Sequence, residues 1–268
     1  MATQAELAYE ALVILLRHSQ AMDAPAKPLL WLGAGASAYD GVPVGDALLV
    51  GLVGSTGKWG SPQYRLDRLF EGLPPAARLR LLKPLLDKPL KPDSPYHSVV
   101  KLLRKGYFGG AVTFNVDHLI DEAIASASAF SDMEVIDGVE MVPGAISERF
   151  FGSTRTSPIV LKLHGGLTTG LNLFTSTEIS AYTPKLAEIV ESLSRRPAVV
   201  CGYSFAHLNV LRSFSTDIGA FFYCNPFTPS APALLSLMES RGGVYGKTVD
   251  GTDGRFETLM AALARDLP

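Results

Sequence analysis

Cysteine is nearly absent from this chain: of 268 residues only Cys201 and Cys224 are cysteine, and both lie inside apolar runs. Two isolated cysteines cannot build a four-thiolate zinc site, and buried free thiols behave as small hydrophobes, so a reducing compartment is the simplest reading. Long apolar runs are missing too. None approaches the ~20 residues that span a bilayer. The N-terminal run from Ala11 to Leu16 is short, and Glu6 and Glu10 precede it where a signal peptide would be basic. A cytoplasmic protein is expected, with no membrane contact. Charge of one sign is also lacking: the net charge of −2 gives no electrostatic reason to expect nucleic acid as a partner. Local basic clusters such as Arg78-Leu79-Arg80 and Arg104-Lys105 are expected on solvated helix faces. There is no internal repeat and no low-complexity segment.

What is present is a compact α/β pattern. An apolar fraction of 47% with 19% charged residues suits a chain that buries a sizeable core. Leu29-Leu30-Trp31-Leu32-Gly33-Ala34-Gly35-Ala36-Ser37-Ala38 reads as a buried strand, a glycine turn and a helix start. Gly33 and Gly35 allow a tight turn and a close backbone approach, Ala38 fills the third small position, and exposed N–H groups at a helix N-terminus favour a pyrophosphate. The same pattern also serves as a plain strand-to-helix turn.

Further strands are expected at Gly110 to Asn115, Pro158 to Leu163, Ala198 to Cys201, Ala220 to Tyr223 and Val244 to Val249. Met133 to Val142 reads as a short hairpin or edge strands. Helices are expected over residues 5–20, from Ala47 to Val53, His118 to about Ser128, Pro184 to Arg195, Leu208 to Phe214 and Arg255 to Asp266, with a loop and short helix from Thr175 to Tyr182. Residues 5–20 carry an apolar stripe that packs on the sheet or, alternatively, forms an oligomer contact. The alternation gives a Rossmann-like parallel sheet with helices on both faces. A dinucleotide fold of the ordinary kind would place a second strand ending in an acidic residue about 20 residues beyond the glycines. Here residues 54–108 are instead helical and rich in Leu, Lys and Arg. The expected organisation is one domain, 1–268, with a small helical insertion at 54–108 beside the cleft.

Ser94-Pro95-Tyr96-His97 reads as a helix start, with Ser94 as N-cap, Pro95 at the first helical position and Gly106 ending the helix. His97 in its first turn is either a structural histidine bonding a loop carbonyl or a catalytic one. Asn115 and Asp117 follow a strand's carboxyl end, where open α/β sheets bind ligands. Asp117 is also a good cap for the next helix. His164 follows another strand and precedes Gly165 and Gly166, which let a ligand come close.

In this order the residues resemble the sirtuin family. The matching pieces are Gly33-Ala34-Gly35-Ala36-Ser37 with Gly41-Val42-Pro43, Pro95 to His97, Thr113-Phe114-Asn115-Val116-Asp117, Lys162-Leu163-His164-Gly165, Gly202-Tyr203-Ser204-Phe205 and Asn225. They run through nearly the whole chain from Leu29 onward. The resemblance implies that Gly33, Ala34, Gly35, Ala36 and Ser37 hold the NAD+ pyrophosphate. It implies that Asn115 orders the nicotinamide ribose and a water, that Asp117 recognises the carboxamide and that His164 is the general base. Gly202, Ser204 and Asn225 would line the adenosine side. The departures point away from protein deacylation: the paired cysteines of the zinc ribbon are missing, and Val44-Gly45-Asp46 follows Pro43 where deacylases carry Asp and Phe-Arg. Gly-Tyr-Ser-Phe replaces Gly-Thr-Ser, and Ala206-His207 follows Phe205 where relatives often carry aspartate. The chain is in this respect similar to prokaryotic sirtuin-like domains of anti-phage defence, which hydrolyse NAD+.

The resemblance therefore implies an NAD+ glycohydrolase that releases nicotinamide and ADP-ribose, uses NAD+ as substrate and needs no metal. Imidazole titrates near neutrality, as a base for this step requires, and such a base typically contributes ~10²–10⁴-fold. It further implies an infection-sensing protein partner, or control by homo- or hetero-oligomer assembly. A module that binds NAD+ or ADP-ribose without turnover is the alternative, with a deacylase behind it. A redox dehydrogenase is disfavoured by the missing acidic ribose reader.

Overall fold

Strands buried along their whole length belong in a parallel sheet covered on both faces, and the chain's strands are mostly of that kind. The computed structural model describes residues 4–23, 26–54, 62–127, 133–139, 141, 143–151, 157–167, 173–205, 208–217, 219–246 and 254–267. The elements before the glycine turn are α1 (Gln4–Ser19) and β1 (Leu29–Leu32). A single 3₁₀ turn, Ala34–Ser37, precedes α2 (Asp46–Val53), α3 (Pro62–Phe70), α4 (Pro75–Leu86) and α5 (Pro95–Arg104). Next come β2 (Gly110–Thr113), α6 (Leu119–Ala127), β3 (Glu134–Asp137), α7 (Pro143–Phe151) and β4 (Ile159–Lys162). The remainder is α8 (Ser176–Ser194), β5 (Ala198–Cys201), α9 (Leu208–Arg212), β6 (Phe221–Cys224), α10 (Pro232–Ser240), β7 (Val244–Gly246) and α11 (Phe256–Asp266).

Among the described residues, seven strands form one sheet in the order β3-β4-β2-β1-β5-β6-β7, with every pairing parallel. This is the Rossmann-like α/β arrangement expected from the sequence. Because side chains alternate across a strand, β1 serves two cores. Leu30 and Leu32 join the layer that holds α1, α5, α6 and α11, whereas Leu29 and Trp31 face α8 and the aromatic cluster of Phe205, Phe214 and Phe221. The chain leaves β1 toward β2 on one side and returns to β5 on the other. That reversal opens a crevice above the carboxyl ends of β1, β2 and β5, where open α/β sheets bind ligands.

Several local expectations are corrected. The glycine turn leads into a single 3₁₀ turn where the start of a helix was expected, so little helix dipole stands behind it. Pro184 does not separate a short helix from a longer one, because α8 runs through it. A capping box between Thr175 and Glu178 starts that helix, and the buried face of Leu186, Ile189, Val190 and Leu193 holds it beyond the proline. In the stretch read as a hairpin or edge strands, β3 is an edge strand parallel to β4, and Val142 lies outside the described residues. Helix α7 was not foreseen; at nine residues it is too short to show a clear period. Arg78 is not on a solvated face. It is 6% exposed and its guanidinium pairs with Glu178, tying α4 to the cap of α8. Ala206 and His207 lie outside the described residues.

Cys201 and Cys224 occupy facing positions of β5 and β6, and both are buried. The contact with Cys224 and the burial itself push the Cys201 thiol well above its ordinary pKa. Since the thiolate is the reactive form, the native protein should resist a disulfide-exchange reagent at pH 8, while the denatured chain releases two equivalents. Rapid reaction of either thiol in the native state would contradict this packing.

Candidate active site

Every site residue expected from the sequence lies at or just beyond the carboxyl end of a strand or on the turn that follows. The ladder continues a residue past several strands and so fixes these ends. Gly33 N–H donates to the Cys201 carbonyl at 3.0 Å, Phe114 N–H to Leu32 at 3.0 Å and Leu163 N–H to Thr113 at 2.8 Å. The glycine turn then packs against the end of β5, where Gly35 N–H donates to the Gly202 carbonyl at 2.8 Å. A Cβ on Gly33 would come within 2.5 Å of Tyr203 Cα, and one on Gly202 within 2.4 Å of the Ala36 nitrogen. The glycines thus serve first the approach of two backbone segments to each other. The N–H groups of Gly33, Gly35 and Ala36 are all spent on protein carbonyls, which removes them from the anion-binding donors expected here.

Around this turn lies a buried polar cluster. Ser37 is completely buried, and Asn115 and Asp117 are 7% and 4% exposed. Asn115 Nδ2 donates to the Gly33 carbonyl at 2.9 Å and to Ser37 Oγ at 2.9 Å, while Ser37 Oγ donates to Asp117 Oδ2 at 2.7 Å. Asp117 Oδ1 accepts from the Leu119 N–H at 3.2 Å, so the capping expected of Asp117 is present within this cluster. Burial pushes the Asp117 carboxyl above the usual carboxylate range, against the hydrogen bond from Ser37 and the nearby Lys162 charge.

Two members of the cluster lie within the quoted motifs but were given no site role from the sequence. Tyr96 is 1% exposed, with its hydroxyl 2.8 Å from Ser37 Oγ. Lys162, 4% exposed, donates to the Asp117 carbonyl and to Asp121 Oδ2, each at 2.7 Å. Lysine within an otherwise apolar strand was the available signal for Lys162. For Tyr96 the signal was only its place in the Pro95 to His97 motif, since an aromatic in the first turn of a helix is otherwise ordinary core. His97 takes the structural reading: its Nε2 lies 3.2 Å from the Lys91 carbonyl.

His164 follows β4 and is 8% exposed. Its ring meets Phe114 edge-on at 5.4 Å, and Phe114 stacks on Tyr203 at 4.0 Å. Asn115, Asp117 and His164 line one cavity of about 490 Å³, with Ala34, Gly202 and Ser204 at its inner margin. Val44, Leu48, Leu66, Leu86 and Phe174 cover it with apolar surface supplied mainly by the helices between β1 and β2. A second cavity of about 510 Å³ shares Ala34, Val44, Gly45, Gly202 and Ser204 with the first and extends to Asn225, Phe227 and Arg255. Both volumes fall in the ~300–1,000 Å³ range usual for ligand sites. The structure therefore brings Asn115, Asp117 and His164 to one cavity and Gly35 and Asn225 to the other, with Ala34, Gly202 and Ser204 lining both.

No protein-family model matches the chain, and no curated protein does. Among solved structures it is similar to one described as "Structural Basis for the Mechanism and Regulation of Sir2 Enzymes". That match has 15% sequence identity and a TM-score of 0.46, covering 97% of this chain and 96% of the other. Such a likeness is too low to assign a family, and function rests on the cleft itself. Among the described residues, no helix is long and apolar enough to cross a membrane.

Proposed function

We propose that the chain is an NAD+ glycohydrolase, converting NAD+ and water to nicotinamide, ADP-ribose and a proton. The observation that carries this reading is the convergence of Asn115, Asp117 and His164 on one cavity that adjoins a second one reaching Asn225. The joined cavities offer a place for each half of a dinucleotide, with the glycine turn between them. Breaking the ribose C1′–nitrogen bond sends its electron pair to nicotinamide and leaves an oxocarbenium-like centre. Asn115, whose side-chain nitrogen is held by Gly33 and Ser37, orients the ribose hydroxyls and the attacking water through its oxygen. Each Asp117 carboxylate oxygen accepts one protein hydrogen bond and retains a lone pair for the carboxamide of nicotinamide. His164 takes the proton as water adds. The apolar cover limits bulk water, which strengthens these polar interactions.

By the resemblance of its motifs, the enzyme is an NAD+-depleting effector of anti-phage defence, and a separate sensing partner or self-assembly controls it. The helices at 54–108 form the insertion that walls the nicotinamide side.

Incubation of the purified chain with NAD+, followed by chromatography, tests the reaction. Nicotinamide and ADP-ribose are expected in equal amounts, and Asn115→Ala should lower their formation by about 10²-fold or more. A cyclic product, or equal rates with Asn115→Ala, would contradict the proposal.

A further inference from the structure

The hydrogen-bond cluster behind Asn115 contains enough information to fix which atom of its amide meets a ligand. Gly33 offers a carbonyl, which only accepts, so the atom 2.9 Å from it is the amide nitrogen. The second amide hydrogen goes to Ser37 Oγ, also at 2.9 Å, with the Tyr96 hydroxyl a longer contact at 3.4 Å. Both donors of Asn115 are then used, and Oδ1 takes no hydrogen bond from the described residues. Ser37 has one proton and two acceptor positions. Its proton goes to Asp117 Oδ2 at 2.7 Å, one acceptor position to Asn115, and the other faces the Tyr96 hydroxyl at 2.8 Å. Tyr96 must therefore be the donor to Ser37.

Tyr96 is itself firmly placed. Its backbone N–H donates to Ser94 Oγ at 3.2 Å, and Ser94 Oγ donates to Asp40 Oδ2 at 2.8 Å. Asp40 is buried on the turn that follows the glycines, and its Oδ1 accepts from Lys91 N–H at 3.0 Å. The Tyr96 ring also packs edge-on against Phe256 at 5.6 Å. The start of α5 is thus fastened to the same glycine turn that Asn115 touches.

We propose that Tyr96 is a positioning residue: by donating to Ser37 it fixes Ser37 as the acceptor for Asn115, so that the Asn115 amide presents only its oxygen to the cavity. The cavity then selects a hydrogen-bond donor at that point, a sugar hydroxyl or a water, and refuses an acceptor such as a phosphate or carboxylate oxygen. The inference deepens the NAD+ glycohydrolase reading, but the amide geometry can be tested without turnover.

The experiment uses the whole chain labelled with ¹⁵N at asparagine, with the Asn115 side-chain signals assigned by their loss in Asn115→Ala. In the parent protein the two amide protons should exchange slowly with solvent. In Tyr96→Phe, which retains the ring, exchange should quicken by about tenfold while the thermal midpoint confirms folding. Alongside, nicotinamide release by Tyr96→Phe should show kcat lowered by about tenfold at unchanged KM. Unaltered exchange in Tyr96→Phe, or a loss confined to KM, would overturn the positioning role. Slow exchange that quickens in Tyr96→Phe, in a chain that releases no nicotinamide, would uphold the lock and overturn the hydrolase reading alone.

Discussion

Replacing His164 with alanine is expected to lower nicotinamide release by about 10²–10⁴-fold while ADP-ribose affinity stays within about twofold. His164 reaches its position through the backbone, since its carbonyl accepts from Leu173 N–H at 3.0 Å and Gly165 turns the chain at φ 82°. Its ring rests edge-on against Phe114, which remains supported by the stack on Tyr203. Truncation should therefore remove a proton acceptor and leave the wall of the cavity standing. Stopped assays of nicotinamide release, with calorimetry of ADP-ribose on the same preparations, separate the two quantities. An unchanged rate would remove His164 from the mechanism, and a parallel loss of affinity would make it a binding residue instead.

The second large effect is on stability. Gly202→Ala should cost at least ~3 kcal/mol, because the new Cβ meets backbone and cannot be accommodated by a side-chain shift. Gly202 has φ 63° and would bring that Cβ within 2.9 Å of Gly35 Cα as well as 2.4 Å of the Ala36 nitrogen. Gly41→Ala is the matched control. Gly41 also has a positive φ, at 92°, but a Cβ there meets nothing within 4 Å. Backbone strain alone then costs ~1–2 kcal/mol. Denaturant unfolding of the two variants beside the parent measures the difference. Equal losses would mean that the glycine turn and the end of β5 are not packed as closely as described.

These two cases also mark how much the sequence discloses. The strands β1, β2, β4, β5 and β6 were legible because each is an unbroken buried run, and their carboxyl ends delivered Asn115, His164, Gly202 and Asn225 to one side of the sheet. The purpose of Gly33 was only half legible. A glycine turn after a strand suggests room for a phosphate, whereas the backbone that Gly33 and Gly202 admit belongs to this same chain, far away in sequence. The role of Tyr96 escaped notice for a similar reason: its hydroxyl meets residues 59 positions before and 19 positions after it. Arg78 looked solvated because its partner, Glu178, lies 100 residues on. Local patterns reveal which face of an element is apolar, but they do not reveal which buried polar groups will find one another.

The most direct test of the central claim, that the joined cavities form one dinucleotide site, is titration calorimetry of the parent protein with ADP-ribose. On the proposed reading that ligand would reach from one cavity into the other, and it has no nicotinamide bond left to break. Saturable binding with one ADP-ribose per chain is the result the account predicts. Absence of saturation up to millimolar ADP-ribose would contradict it.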